Sequence, residues 1–294
     1  MDGTESGSTQ LAESEETYCY AHTRTPTRLR CSRCDRPICG RCAIPASVGQ
    51  HCPECVAEAR RTSRKVKSVA RATAPVVLAL IGINVVMFVG QLTIPGLTDR
   101  LSARSFSIDH GEWWRLLTAM FLHSPTFVLH IAFNMYVLYA YGPHVEQVFG
   151  HARFLVLYLI CGFGASAASF ALHGCFSDSV GASGAIFGVV GLLLVYLYNR
   201  RHSSFVAQFL RALLIFIGLN LFIGFTFPRI DNVAHIGGLL SGVALGLGFD
   251  RKGSQKRSAA AVQIATAIVV AGVALALVFY RTATLECGSP FFLG

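Results

Sequence analysis

The chain has 294 residues, 53% hydrophobic and only 14% charged, with a mean hydropathy of +0.51. About a quarter of the residues of soluble domains are charged, so this composition excludes an ordinary soluble globular protein. The formal net charge is +9, but the basic residues sit beside apolar segments rather than on a folded face with interleaved aromatics. That pattern argues for topology determinants at a lipid bilayer and against a nucleic-acid partner.

Residues 1–18 lack the apolar stretch of a signal peptide and carry Asp2, Glu5, Glu13, Glu15 and Glu16, the composition of a disordered tail expected to remain in the cytoplasm. Residues 19–55 hold Cys19-x2-His22, Cys31-x2-Cys34, Cys39-x2-Cys42 and Cys52-x2-Cys55. Four ligand pairs this close together, in a reducing compartment, point to zinc rather than to disulfides. Eight ligands make two tetrahedral sites, and so short a segment would depend on about two structural zinc ions to fold. The spacing resembles a B-box-type zinc finger. The resemblance implies a cross-braced order in which Cys19, His22, Cys39 and Cys42 hold one ion and Cys31, Cys34, Cys52 and Cys55 the other. Sequential pairing is the alternative, and His51 is a substitute ligand where B-boxes often use histidine. Such a head serves either as a docking module for a cytoplasmic protein partner or as a structural cap. Catalytic zinc is not expected, since no general base or open position is evident.

Residues 56–74 form a basic juxtamembrane linker with Arg60, Arg61, Arg64, Lys65, Lys67 and Arg71. Seven apolar stretches follow, at roughly 75–94, 126–142, 153–172, 181–198, 205–227, 232–249 and 259–280, each compared with the ~20 residues a bilayer core requires. The second and fourth are the weakest, being short and interrupted by glycine or polar groups. The basic linker, Arg200–Arg201 and the cluster Arg251, Lys252, Lys256 and Arg257 all fall on one side if the N-terminus is cytoplasmic. The loop from Pro95 to Pro125, with Trp113 and Trp114 suited to an interface, then lies outside, as do Cys175 and Cys287. Arg211 in the fifth span is close enough to its inner end to snorkel.

Polar groups inside spans mark function by default. Ser183 near the start of the fourth span, His235 near the start of the sixth, and His130 and Asn134 in the second would lie roughly 3–12 Å below the outer boundary at ~1.5 Å per residue. His130 and Asn134 share a helix face. A serine hydroxyl needs an adjacent base, and His235 can supply it. The glycines Gly238, Gly242 and Gly246 on one helix, with Gly184 and Gly188 on another, would let the two approach closely. No carboxylate lies at this depth, so a Ser-His dyad is expected. The Ser183 N–H with His130 and Asn134 would stabilise the oxyanion.

These motifs resemble the rhomboid family of intramembrane serine proteases over roughly residues 75–250. Trp114-Arg115 is similar to its first-loop pair, His130 to Asn134 to its HxxxN, Gly181 to Gly184 to its GxSG, Ala234 to Gly238 to its AHxGG, and Glu146 with Gly150 to a pair after the second span. The resemblance implies an all-α polytopic six-helix bundle with a cavity open to the outer face. It also implies a serine endopeptidase that cleaves membrane-anchored proteins in or near their transmembrane segments, with Ser183 and His235 as the dyad and no catalytic cofactor. Many members stack a tyrosine on the catalytic histidine, and here that position is Phe187, which keeps a ring but not the hydroxyl. Residues 251–294 would add a basic loop, a seventh helix and an outer tail. The competing readings are an inactive relative that binds membrane proteins without cutting them, and a proton-coupled transporter. The spans contain no carboxylate to carry protons for the latter. A multi-pass protein of the cell membrane is expected.

Overall fold

The computed structural model describes residues 16–46, 48–62, 74–227, 230–250 and 256–284. The acidic segment 1–15, Arg64, Lys65, Lys67 and Arg71 of the linker, Arg251 and Lys252, and Cys287 lie outside the described residues. Two compact units are present, Met1–Arg71 and Ala72–Gly294.

In the first unit a short antiparallel hairpin, β1 (Ile44–Pro45) with β2 (Gln50–His51), leads into α1 (Pro53–Thr62). Its buried cluster consists of Ile38 and six cysteines. One buried isoleucine supplies only a few kcal/mol at most by removal of apolar surface from water, far short of what orders a domain.

The second unit is helical. Helix α2 (Pro75–Thr93) is followed by a long loop containing α3 (Leu97–Leu101), β3 (Ala103–Arg104), α4 (Ser105–Asp109), α5 (Arg115–Thr118) and a 3-10 turn. Then come α6 (Val128–Phe149), α7 (His151–Leu172), β4 (Asp178–Ser179), α8 (Ser183–Tyr198), α9 (Ser204–Thr226), α10 (Asn232–Phe249) and α11 (Lys256–Thr284). Helices α2, α7, α9, α10 and α11 are long and apolar enough to cross a membrane, and the chain is a multi-pass membrane protein. The two weak stretches of the sequence are helices as well. Helix α8 has only 16 residues, but twelve of them are buried, so it is shielded from lipid by its neighbours. Helix α6 carries His130, Asn134, His144 and Glu146, which lower its apolarity.

Helix α6 also extends past the expected end at 142, through Pro143, to Phe149. A transmembrane proline need not end a helix where neighbouring groups satisfy the freed backbone. The interval between the stretches expected at 126–142 and 153–172 shrinks to Gly150, whose φ of +87° favours glycine. Glu146 is fully buried and accepts the N–H groups of Val76 (3.0 Å) and Val77 (2.9 Å) and the His151 imidazole (2.5 Å). Its carboxylate satisfies two orphan donors at the positive end of α2, next to Pro75 at the first helical position.

Helix α10 packs most extensively on α8 and then on α7. A Cβ at Gly238 would fall 1.9 Å from the Gly184 carbonyl oxygen, and one at Gly242 2.0 Å from that of Gly188. The backbones are therefore in contact. At the far end of this pair Arg200 makes a bidentate pair with Asp250 (2.6 and 2.9 Å).

The seventh helix, α11, packs on α7 and α10 and reaches the long loop. Ala274 and Val278 join Ala103, Ile108, Leu116, Ala119, Ala167 and Phe170 in one buried cluster. Trp113 meets Phe279 edge-on at 5.1 Å, and Arg281 donates to the His173 carbonyl (2.6 Å). Cys175, two residues further on, is in a disulfide.

Gly242→Ala should lower the melting temperature in detergent, since the added methyl meets a main-chain oxygen and overpacking costs about 1–3 kcal/mol. Gly218→Ala in α9, where a Cβ would meet nothing within 4 Å, should leave it unchanged or raise it. Thermal unfolding of the two variants side by side checks this, and an unaffected Gly242→Ala would contradict the contact.

Candidate active site and metal clusters

Ser183 is the first residue of α8 and is half-buried. The turn before it depends on Gly181, whose φ of +142° is rarely open to other residues and whose N–H donates to the Ala119 carbonyl (3.0 Å). A Cβ at Gly181 would lie 3.1 Å from His130 Nε2 and 3.5 Å from Ser183 Oγ. The serine hydroxyl and the His130 ring therefore face the same small space, kept open by the absence of a side chain.

The Ser124 N–H lies 3.4 Å from His130 Nδ1. This assigns the lone pair to Nδ1 and the proton to Nε2, the atom directed at Gly181. Asn134 is buried one turn further along α6 and donates one amide hydrogen to the His130 carbonyl (2.8 Å). Its second amide hydrogen has no partner among the described residues. His123 is fully buried and meets the His130 ring edge-on at 5.0 Å. Burial, with His130 nearby, pushes the His123 imidazole down to about 3, so it is neutral at physiological pH.

His235 lies in the first turn of α10 and is buried. Its ring stacks on Phe187 at 4.4 Å between centroids with planes 10° apart. Phe187 is four residues after Ser183 and hence on the same face of α8, so the imidazole stacks against the face of α8 that carries the serine. The neighbouring backbones also touch there, since a Cβ at Gly184 would lie 3.4 Å from the Ala234 carbonyl oxygen. Among the described residues His235 Nδ1 has no hydrogen-bond partner, and no direct Ser183–His235 hydrogen bond is made. Such bonds are often long before substrate binds and tighten in the complex.

Asp231 was not singled out in the sequence. It caps α10, accepting the Ala234 N–H (2.9 Å), and also accepts hydroxyls from Ser169 (2.5 Å) and Ser179 (2.9 Å). The Asp231 carboxylate thus fixes the height of His235 through the helix start rather than through the imidazole. An N-cap aspartate directly before an apolar helical run is a readable signal for this role. The long loop is organised by buried Arg115, which donates to Glu112 (2.5 Å), the Asp99 carbonyl (2.7 Å) and the Ser102 carbonyl (3.0 Å). Trp114 itself is exposed.

In the N-terminal unit, Cys19, His22, Cys39 and Cys42 form one group and Cys31, Cys34, Cys52 and Cys55 another, with the ligand atoms of each within 4.8 Å of one another. This is the alternating order, and His51 belongs to neither group. Cys19–Cys42 and Cys34–Cys52 have Sγ–Sγ separations of 3.8 Å. His22 Nδ1 lies 3.4 Å from the sulfurs of Cys39 and Cys42 and 3.8 Å from that of Cys19. A tetrahedron with Zn–S of ~2.3 Å and Zn–N of ~2.0 Å has edges of about 3.5–3.8 Å, so the donor sets fit a zinc ion. Each group splits: burial raises Cys19 and Cys31 but is outweighed by hydrogen bonds that pull them down to about 6, while burial and the neighbouring thiols push Cys42 up to about 11 and the contact with Cys52, then burial, pushes Cys55 up to about 12. Crowded thiols resist joint ionisation, and a dication removes that conflict.

Residues 110–252 match the family model described as the Rhomboid domain. The chain is 40% identical over 176 residues to the Rhomboid protease GluP of Bacillus subtilis (strain 168), covering 59% of this chain and 32% of that protein. It is 44% identical over 141 residues to RHOMBOID-like protein 6, mitochondrial, of Arabidopsis thaliana, covering 47% of this chain and 44% of that one. It is 32% identical over 149 residues to the Putative rhomboid protease YdcA of Bacillus subtilis (strain 168), covering 50% of this chain and 72% of the relative. The chain belongs to the rhomboid family. It spans between about a third and a half of the length of GluP and the plant relative.

Proposed function

We propose that this chain is an intramembrane serine endopeptidase acting on membrane-anchored proteins in or near their transmembrane segments. The observation that carries the reading is the convergence of Ser183 Oγ and His130 Nε2 on Gly181, with His235 stacked on Phe187 in the next turn. The matched relatives called rhomboid proteases support it. Ser183 Oγ attacks the scissile carbonyl as its proton passes to His235. The oxyanion is held by the Ser183 N–H, His130 Nε2–H and the free Asn134 amide hydrogen. His235 then protonates the leaving amine, and water attacks the acyl-enzyme with His235 again as base. The alternative reading is a relative that binds membrane proteins without cutting them, in which Ser183 would stay unreactive.

The proposed organisation is a zinc module at 19–55, a basic linker at 56–74, the catalytic bundle at 75–250 and an appended segment at 251–294. The N-terminus is assigned to the cytoplasm and the active site to the outer face. The basic residues that flank the inner ends of the apolar stretches, Arg60 and Arg61 and then Arg200 and Arg201, support this orientation. Two structural zinc ions occupy the module, which serves as a docking point for a cytoplasmic protein.

In proteoliposomes carrying a single-span substrate, Ser183→Ala and His235→Ala should each lower turnover by at least about 1,000-fold, as expected when a nucleophile or its base is removed. Equal turnover by wild type and Ser183→Ala, read on gels, would refute the mechanism. Elemental analysis should find two zinc ions per chain, falling to one in Cys39→Ser. A metal-free chain with a folded N-terminal unit would remove the zinc assignment.

A further inference from the structure

Two residues outside the proposed catalytic set stand behind His130. His123 is fully buried, yet neither ring nitrogen has a hydrogen-bond partner among the described residues, and its ring packs edge-on against His130 at 5.0 Å and 65°. Its main chain is gripped from both sides by one side chain of α2. Gln91 Nε2 donates to the His123 carbonyl (2.8 Å) and Gln91 Oε1 accepts the His123 N–H (2.9 Å). A further bond from Gln91 Nε2 to Thr98 Oγ1 (2.9 Å) orients the amide. The pairing reproduces one rung of an antiparallel ladder, with a side-chain amide in place of a second strand.

The clamp matters because the next N–H along the chain, that of Ser124, is the donor to His130 Nδ1 (3.4 Å). Neutral imidazole carries one proton, and the atom that accepts a hydrogen bond decides where it sits. With Nδ1 accepting from Ser124, Nε2 is the donor aimed at the space beside Ser183 and Gly181. With the other tautomer, Nε2 would present a lone pair to a developing oxyanion and repel it. The 3.4 Å separation makes this a long bond, so a small displacement of the 123–124 peptide would break it.

We propose that Gln91 and His123 are positioning residues for the oxyanion site. Gln91 fixes the peptide whose N–H sets the His130 tautomer, and the His123 ring forms the wall that holds the His130 ring in its plane. The proposal rests on the serine-peptidase reading for its kinetic consequence but not for its structural one.

The test combines kinetics in proteoliposomes with long-range 15N–1H correlation of ring-labelled histidine in detergent. Gln91→Leu should lower kcat about tenfold, below the 100- to 1,000-fold typical of losing an oxyanion donor outright, and leave KM within about twofold. Combined with His130→Ala it should lower kcat no further, since both changes act through one group. Gln91→Glu, which can accept the His123 N–H but not donate to its carbonyl, should fall between. The spectra should assign His130 to the Nε2–H tautomer in wild type and to a mixture in Gln91→Leu. Multiplying losses in the double variant, or an unchanged tautomer, would overturn the proposal. If Gln91→Leu does not fold, the wild-type spectrum decides, with an Nδ1–H tautomer at His130 overturning it. A wild type that cuts nothing but shows the expected tautomers would remove the peptidase reading and leave the positioning relay standing.

Discussion

The site depends on how closely α8 and α10 approach. Ser183 and His235 lie on separate helices, and a serine can be activated only by a base within hydrogen-bond reach. Ordinary side chains in the seam would hold the axes too far apart. With Gly184 and Gly188 facing Gly238 and Gly242, carbonyl oxygens occupy the space that methyl groups would fill. In lipid, where apolar residues gain nothing by leaving water, such close backbone packing is what drives helices together. Phe187 then fills the remaining space on the α8 face and stacks on the imidazole.

The same solvent makes every polar group near the bundle answerable. Glu146 closes the open donors at the start of α2, Asp231 those of α10, and Arg115 the carbonyls of the long loop. None of these three carries out the proposed chemistry: Asp231 sets the start of α10, which bears His235, Glu146 ties α2 to α6, which bears His130 and Asn134, and Arg115 holds the loop between α2 and α6. The seventh helix extends this support, since its Ala274 and Val278 lie under the same loop that Arg115 organises. In the N-terminal unit the constraint is different. A cluster of one isoleucine and six cysteines has little apolar surface to bury, and its two Cys/His groups could hold metal ions in place of a core.

Much of this was legible in the sequence. The seven apolar stretches correspond to α2 and α6 to α11, and the weakness of the second and fourth had a physical meaning: α6 carries the polar residues and α8 is too enclosed to need full length. The glycine spacing disclosed the α8–α10 contact. The alternating grouping of the candidate ligands, open between two pairings in the sequence, follows from the folded module. The long loop was not legible. Its short helices and the β3–β4 pair lack any sustained period, and they exist because Arg115, Gln91 and the α11 face hold them. Asp231 escaped notice because a carboxylate was sought at the depth of the imidazole and not one turn above it. The second stretch, expected to end at 142, runs on to Phe149 because Pro143 is accommodated in the bundle without ending the helix.

The central claim is that Ser183 is an activated nucleophile. Labelling of the detergent-purified chain by a fluorophosphonate probe tests it most directly, because the probe forms its bond with the serine itself and needs no knowledge of the natural substrate. The account predicts labelling of wild type that disappears in both Ser183→Ala and His235→Ala. A wild type that stays unlabelled beside a reactive rhomboid-type enzyme, or labelling that persists in Ser183→Ala, would contradict it.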